Sequence, residues 1–543
     1  MEIILKHNDG YKWASNNGVY FKGYLVVRET GEVLKEEKAI GFLSKICSQN
    51  DLQSLLLACE GVYAVVIENQ GRVLFAVDRA RSLPLFYDVK GSAISDSAEA
   101  LREYLRIVPE NVDSEFYKAL YAKTYIFGHF TAYSQIRQLD LGELAEIKGE
   151  DISIKRYFIH KADKIIDATD SYYIEELDAV SRKAFKRIKD VIGNRPVVLS
   201  MSGGYDSRYV ACMLKIMGVD DVSCYTYGKK DSFEVKQSKK NAEALGYRWI
   251  CVEHSDEIVN KTFDDLGKKY IDSFDTHDYI AYLQNFPAVR ELHERGWFKP
   301  GSVFITGLCG DMPTGYYIPD YDEGIEYNNQ YAVEWLYKTI YERQTIVGDF
   351  KSKWIQYCLK ELDELDICAS DYQSFVTAID AIYTTTCHAH CYLHMNRAHE
   401  FFGYEWLIPY WDSELLSLWY AIPAVLRRKQ HIYEEFLLNY LCKDYGIGQK
   451  KTVVGYSNNR FKKKIQYLVG GTLNWLLLHI GVPFKRKFDF NNWAPLELLL
   501  YKNLKTKKTV VYQHAGLISL LTQYTLQKRY GASNMIKAKK ELE

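Results

Sequence analysis

The chain has 543 residues and a mass of 63.1 kDa, too much for one ordinary hydrophobic core, so at least two domains are expected. With 47% hydrophobic and 26% charged residues the composition excludes a disordered or fibrous chain. The net charge of −1 hides an asymmetry: from residue 441 onward nineteen Lys and Arg stand against five Asp and Glu, a surplus of about 14, which leaves the preceding 440 residues near −15.

Residues 1–155 carry short alternating runs, "YLVV", "YAVVIE" and "RVLFAVD", separated by Gly, Asn and Asp. They read as strands of an antiparallel, layered domain. The first residues, "MEIILKHNDGYKW", hold no apolar signal segment, and eleven cysteines without a regular framework suggest reduced thiols. A cytoplasmic protein is expected. From about Asp167 amphipathic helices alternate with the apolar strands "PVVLS", "DVSCYTYG", "RWICVEH" and "SVFITG". That alternation predicts an α/β unit with a parallel sheet, helices on its faces and a site at the carboxyl ends of the strands. After about Tyr372 the rest reads as helical, and residues 441–543 as a basic helical extension. Within it, Ile465–Phe484 has the length of a membrane span but is interrupted by Gln466, Asn474, His479 and Pro483, with Lys462, Lys463, Lys464, Lys485, Arg486 and Lys487 at its ends. Two readings stand: an apolar helix packed on the body, or peripheral contact of residues 460–490 with an anionic membrane surface. Nucleic acid is not expected as a partner, because no basic motif interleaved with aromatics occurs.

The stretch "SMSGGYDSRYVACMLKIMG", Ser200–Gly218, carries the chemistry. A buried-strand run leads into two glycines, and helical spacing follows, so the glycines form a strand-to-helix turn. Such a turn aims backbone N–H groups and a helix N-terminus at one point, where an anion is favoured. Gly203 and Gly204 permit close approach, Ser202 and Ser207 add hydroxyl donors, and Asp206 can hold a Mg²⁺ bridging phosphate oxygens. The pattern is neither the Walker loop nor G-x-G-x-x-G.

This "SGGYDS" resembles the pyrophosphatase loop of the asparagine synthetase-like ATP-dependent ligases. Three further stretches resemble that family in its order. "FITGLCGDMPTGYY" is similar to its second phosphate-site motif and places Thr306, Gly307 and Asp311; "GYEWLIPYWD" is similar to E-x-R-x-P-F-L-D and places Glu405, Pro409 and Asp412. "GVYAVVIENQGRVLFAVDRARSLPLFY" is similar to the synthetases' amino-terminal domain. The resemblance covers roughly residues 20–440. It implies an α+β class-II glutaminase-like domain over 1–155, a doubly wound PP-loop domain over 165–440, and the cofactors ATP and Mg²⁺. By it, Ser202–Ser207 would cradle pyrophosphate, Asp206 and Asp311 would carry the metal, and the strand ends near Leu199 and Tyr225 the adenine.

The departures matter as much. The nucleophilic cysteine of glutamine-using relatives is Glu2 here, and the nearest cysteine is Cys47, so this domain is expected to lack glutaminase activity. Leu308, Met312 and Leu407 replace two carboxylates and an arginine. The family lysine falls on Gln430 in strict register and on Lys429 one residue away, with Arg427 and Arg428 as alternatives; Lys429 is taken as the cation for the leaving pyrophosphate. Glu234, Lys236 and Lys239 could border the nucleotide, while Lys240 and Glu243 read as a solvated face. Cys387, His390, Cys391 and His394 have spacing that a helical zinc site could use, but four ligands cannot converge from one helical face, which favours a packed helix. Arg397 and His399 lie near enough in sequence to contact substrate.

The expectation is a ligase that adenylates a small-molecule, glycan or peptide carboxylate and passes ammonia, or an amine from a separate nitrogen donor, to it. Intramolecular amide closure and a non-catalytic nucleotide-binding scaffold are the alternatives.

Overall fold

A computed structural model describes the chain apart from residues 70, 162–163, 342–348, 451–459, 485–488, 490, 509, 511–515 and 543. The basic run Lys485–Lys487 and the side chains of Lys462, Lys463 and Lys464 lie outside the described residues. The architecture is α/β.

The amino-terminal part is layered, as the alternation predicts. A seven-stranded antiparallel sheet is centred on β1 (Val19–Val27), β2 (Cys59–Asn69), β3 (Arg72–Val77) and β4 (Glu143–Lys148). Alternate residues of one strand point to opposite faces. Tyr63, Val65 and Ile67 of β2 therefore meet Ile40 and Leu43 of helix α1 (Glu36–Leu43) and Leu52 and Leu56 of α2 (Gln49–Ala58). Val62, Ala64 and Val66 turn the other way, into the main core shared with a second, four-stranded mixed sheet.

The second part opens with α3 (Asp170–Ile192), capped by Thr169, whose buried stripe runs through Tyr173, Leu177, Ala184, Ile188 and Val191. Five parallel strands follow: β5 (Val197–Ser200), β6 (Val222–Gly228), β7 (Arg248–Glu253), β8 (Val303–Ile305) and β9 (Trp406–Leu407), in the order β7-β6-β5-β8-β9. The chain leaves β5 in one direction and resumes at β8 on its other side, so the crevice between β5 and β8 is the switch point of a doubly wound sheet. The expectation of helix alone after Tyr372 is corrected by β9, which pairs Trp406 with Phe304 and Leu407 with Ile305. Two residues are too short for a strand period to register in sequence.

Buried ion pairs of Arg81 with Asp278 (2.8 Å) and Lys22 with Glu400 (3.3 Å), and a buried hydrogen bond between His390 and Asp140 (3.0 Å), tie the two parts together. The carboxyl-terminal helices α6 (Arg460–His479), α7 (Ala494–Lys502), α8 (Leu517–Tyr530) and α9 (Ala532–Leu542) complete the molecule. Helix α8 folds back onto both parts, its Tyr530 hydroxyl 2.6 Å from His277 Nδ1 and its ring against Tyr117 and Tyr133. Among the described residues no helix is long and apolar enough to cross a membrane. All eleven cysteines are free thiols.

Candidate functional site

Between the end of β5 at Ser200 and helix α4 (Tyr205–Ile216), residues 201–204 reverse the chain at the switch point. The turn is braced by its own hydroxyls. Ser202 N–H donates to Ser207 Oγ (3.1 Å), the two Oγ atoms lie 3.0 Å apart, and Gly204 N–H donates to Ser202 Oγ (3.1 Å). Gly204 occupies the N-cap without a side chain to satisfy the first helical N–H groups, which leaves that end of α4 suited to an anion. Arg208, a turn further in, is fully buried; its guanidinium donates to the carbonyls of Gly203 (3.1 Å), Ile447 (3.0 Å) and Gln449 (2.6 Å). Sequence reasoning missed this residue. The signal was a charged side chain on an otherwise apolar helix face.

The second loop leaves β8 at Thr306 and lies against the first. A Cβ on Gly307 would fall 2.8 Å from the backbone of Asp206 and Ser207, and one on Gly310 would fall 2.7 Å from both Asp206 Cγ and Tyr410 Cζ. Neither glycine has a positive φ, so close approach rather than backbone freedom demands them. Asp206 Oδ1 accepts from the Tyr433 hydroxyl (3.2 Å), which in turn meets the Tyr410 hydroxyl. Burial, then the charge of Asp206 and more weakly that of Asp311, pushes Tyr410 well above the usual phenol range. Thr306 donates its N–H to Leu407 O (3.2 Å), while its buried Oγ1 has no partner among the described residues.

Asp206, in the first turn of α4, thus adjoins the second loop, which carries Asp311 next to Gly310. Among the described residues no group of three or more His, Cys, Asp or Glu is arranged to hold a metal ion. Two carboxylates fit Mg²⁺, which is ordinarily held by one or two of them and completes its shell with phosphate oxygens and water.

Other expected residues go elsewhere. Leu199 and Tyr225 are wholly buried in the sheet; the Tyr225 ring packs on Phe298 and Phe304 and its hydroxyl meets His399 Nε2 at 3.3 Å. The structure puts neither side chain on the crevice surface, because a central parallel strand is covered on both faces. Lys429 lies on the outside. It and Gln430 take consecutive left-handed conformations (φ 55° and 62°), which turn Lys429 outward to Asp320 (2.8 Å) and Gln430 inward to Thr314 Oγ1 (2.9 Å). Arg428 joins Lys429 on Asp320 (3.0 Å), and buried Arg427 is held by Asp380 (2.7 Å).

Glu405 bonds Arg195 (2.6 Å) and Lys35 (3.1 Å), whereas Asp412 caps its helix and takes both arms of Arg187, so both act in the scaffold. Pro409 is buried in a short turn, Met312 and Leu407 are buried, and Leu308 is half-buried. Gly203 packs against Gln237 and Glu234 Cα, while Lys236 and Lys239 face solvent and Lys239 pairs with Glu243 (3.6 Å). The cysteine and histidine spacing does not survive as one helix. A π-turn at Thr384–His388 gives way to a 3₁₀ segment at Tyr392–Asn396, His390 bonds Asp140, and His394 stacks on Tyr279 at 4.3 Å. Arg397 and His399 are likewise interior, His399 stacked on Phe304 at 4.1 Å and Arg397 donating to Ser273 O (3.4 Å).

Beyond the Arg428–Lys429 corner lies a recess of about 540 Å³ with five aromatic rings, among them Tyr327, Trp335 and Phe375, and the carboxylates Asp320, Asp322 and Glu323.

No protein-family model matches the sequence, and no curated protein matches it. Among solved structures, the chain is similar to the glutamine phosphoribosylpyrophosphate amidotransferase of B. subtilis complexed with ADP and GMP, at 13% identity and a TM-score of 0.18. The match covers 54% of this chain and 63% of the amidotransferase, a little under two thirds of its length, and a score this low carries no argument about function.

Proposed function

We propose that the protein is an ATP-dependent amide-forming ligase of the asparagine synthetase-like kind, which activates a carboxylate as an acyl-adenylate and passes it to a nitrogen nucleophile. One observation carries the reading. At the switch point of a parallel sheet, the uncapped Ser202–Ser207 turn and the Thr306–Asp311 loop meet with glycine backbone pressed on Asp206, beside a buried Thr306 hydroxyl that lacks a partner among the described residues. A carboxylate resists attack by an amine until one of its oxygens becomes a leaving group, and adenylation supplies that. In this reading the N–H groups and hydroxyls of the turn bind the departing pyrophosphate, and Thr306 Oγ1 donates to a phosphate oxygen. Mg²⁺ held by Asp206 and Asp311 would spread the phosphate charge. Positioning and preorganised dipoles account for most of such a rate gain.

Lys429 is not assigned the leaving-group role. The aromatic, acidic recess next to its Asp320 partner suits binding of the nitrogen substrate as an ammonium ion, since ring faces and carboxylates both favour a cation; the nitrogen attacks only as the free amine, after that proton is lost to solvent. With Glu2 in place of the nucleophilic cysteine, ammonia from this chain's own glutamine hydrolysis plays no part in the proposal. The outward turn of Lys429 also favours a second reading, a nucleotide-binding scaffold that releases no pyrophosphate.

The test is pyrophosphate release from ATP and Mg²⁺ with a panel of amino acids, uronic acids and peptides, with and without amines, in wild type and Asp206→Asn. Carboxylate-dependent release that disappears in the variant is expected. ATP binding without release across the panel would replace the ligase by the scaffold.

A further inference from the structure

Helix α6 and the turn after it carry an apolar stripe that no described residue covers. Val469, Leu473, Leu476 and Ile480 are 62, 41, 50 and 72% exposed, and Val482, 44% exposed, extends the stripe. At 100° per residue the first four fall within roughly 60° of one another. The opposite side is docked: Leu478 is buried, buried Asn474 donates to Glu497 (3.1 Å), and Trp475 Nε1 donates to Val510 O (3.0 Å). The helix is therefore fixed to the body along one side and presents a continuous apolar ridge along the other. A contiguous exposed ridge of this kind marks an interaction surface, unlike isolated surface leucines.

The charge around the ridge selects what it meets. No Asp or Glu occurs between residues 444 and 489, while Lys462, Lys463, Lys464, Lys485, Arg486 and Lys487 precede and follow the apolar stretch in sequence. In space, a basic group also stands at the Ile480 end. His479 packs on Tyr501 (5.2 Å), and the Lys507 ammonium lies over the same ring at 5.1 Å. A second copy of the chain docked through this face would set like charges against each other. An anionic bilayer supplies both halves of the complement, an acyl boundary for the ridge and headgroup charge for Lys507 and for the basic residues that flank the ridge in sequence.

We propose that α6 is an interfacial anchor that holds the protein on an anionic membrane surface, lying in the headgroup plane without crossing it. The proposal is independent of the ligase reading.

Flotation of the full chain with vesicles tests it. Wild type is expected to float with phosphatidylcholine vesicles containing phosphatidylglycerol, weakly with phosphatidylcholine alone, and less at high salt because screening weakens the charge contribution. Leu476→Asp and Ile480→Asp should each lower partitioning on the order of tenfold with unchanged thermal melting. Val425→Asp, at an exposed apolar residue elsewhere, should float as wild type. Absence of flotation with either vesicle, or flotation indifferent to the two α6 substitutions, overturns the proposal. So does a dimer in ultracentrifugation that those substitutions dissolve while wild type ignores vesicles.

Discussion

A single methyl group at Gly310 should separate folding from turnover. In Gly310→Ala the new Cβ would lie 2.7 Å from Asp206 Cγ and Tyr410 Cζ and 2.8 Å from Asp206 Oδ1. Carbon contacts settle near 3.5–4.0 Å, so something must move by roughly 1 Å. Tyr410 is buried and tied to Tyr433, which leaves half-buried Asp206 as the group that yields. Overpacking of this kind costs about 1–3 kcal/mol, a fraction of the 5–15 kcal/mol typical of a native domain, and the fold persists. A displacement near 1 Å at a reacting centre costs on the order of a hundredfold in rate. Pyrophosphate release with the responsive carboxylate reads the second effect, and thermal melting with and without ATP reads the first. Release within about twofold of wild type, with melting unchanged, would refute the claim that the two loops form one preset unit around Asp206.

Thr306→Val removes a buried hydroxyl that has no protein partner among the described residues; it should raise or leave unchanged the stability without ligand, yet weaken ATP binding several-fold, as calorimetry would show. Arg81→Met strands the Asp278 carboxylate, itself fully buried, and should cost about 3–5 kcal/mol in urea unfolding, most of it recovered when Asp278→Leu is added. Lys123 is buried with its ammonium 5.5 Å from the Tyr337 ring, and burial, against the pull of Cys387, lowers its pKa to about 7. Between pH 7 and the ordinary lysine range the unfolded chain therefore holds the extra proton. Wild-type stability should rise with pH there, by up to about 1.4 kcal/mol per unit, and Lys123→Met should abolish the slope and be the more stable at pH 7.

The parallel sheet and the turn at its head were legible because their signals are local. A run such as "RPVVLS" followed by "SGGYDS" fixes a strand, a turn and a helix start within a few residues. The pairing of the second loop with the first was legible only through the resemblance, since Thr306 and Asp206 are brought together by sheet order. The outward aim of Lys429 was not legible because it depends on two successive left-handed residues, neither of them glycine, and the backbone strain there is settled by packing around Gln430 and Thr314. The cysteine and histidine spacing assumed an unbroken helix, and a π-turn defeats that assumption without any proline or glycine to announce it. For α6 the composition gave an apolar helix, whereas which side meets the body is decided by Asn474, Trp475 and their partners some 20 to 35 residues away.

The backward fold of the carboxyl-terminal helices bears on how the chain is made. Tyr117 contacts Met535 across 418 positions, and Arg208 is satisfied by carbonyls at Ile447 and Gln449. A chain emerging from the ribosome amino end first exposes the helix that carries Tyr117 long before its cover exists, and the arginine that braces the turn waits more than 200 residues for two of its three acceptors. Synthesis of residues 447–449 is thus coupled to the bracing of the turn. A product truncated near residue 441 would keep every residue of the turn and the Arg208 bond to Gly203 but lose the carbonyls of Ile447 and Gln449, so prematurely terminated chains should be cleaved by protease at the loosened turn.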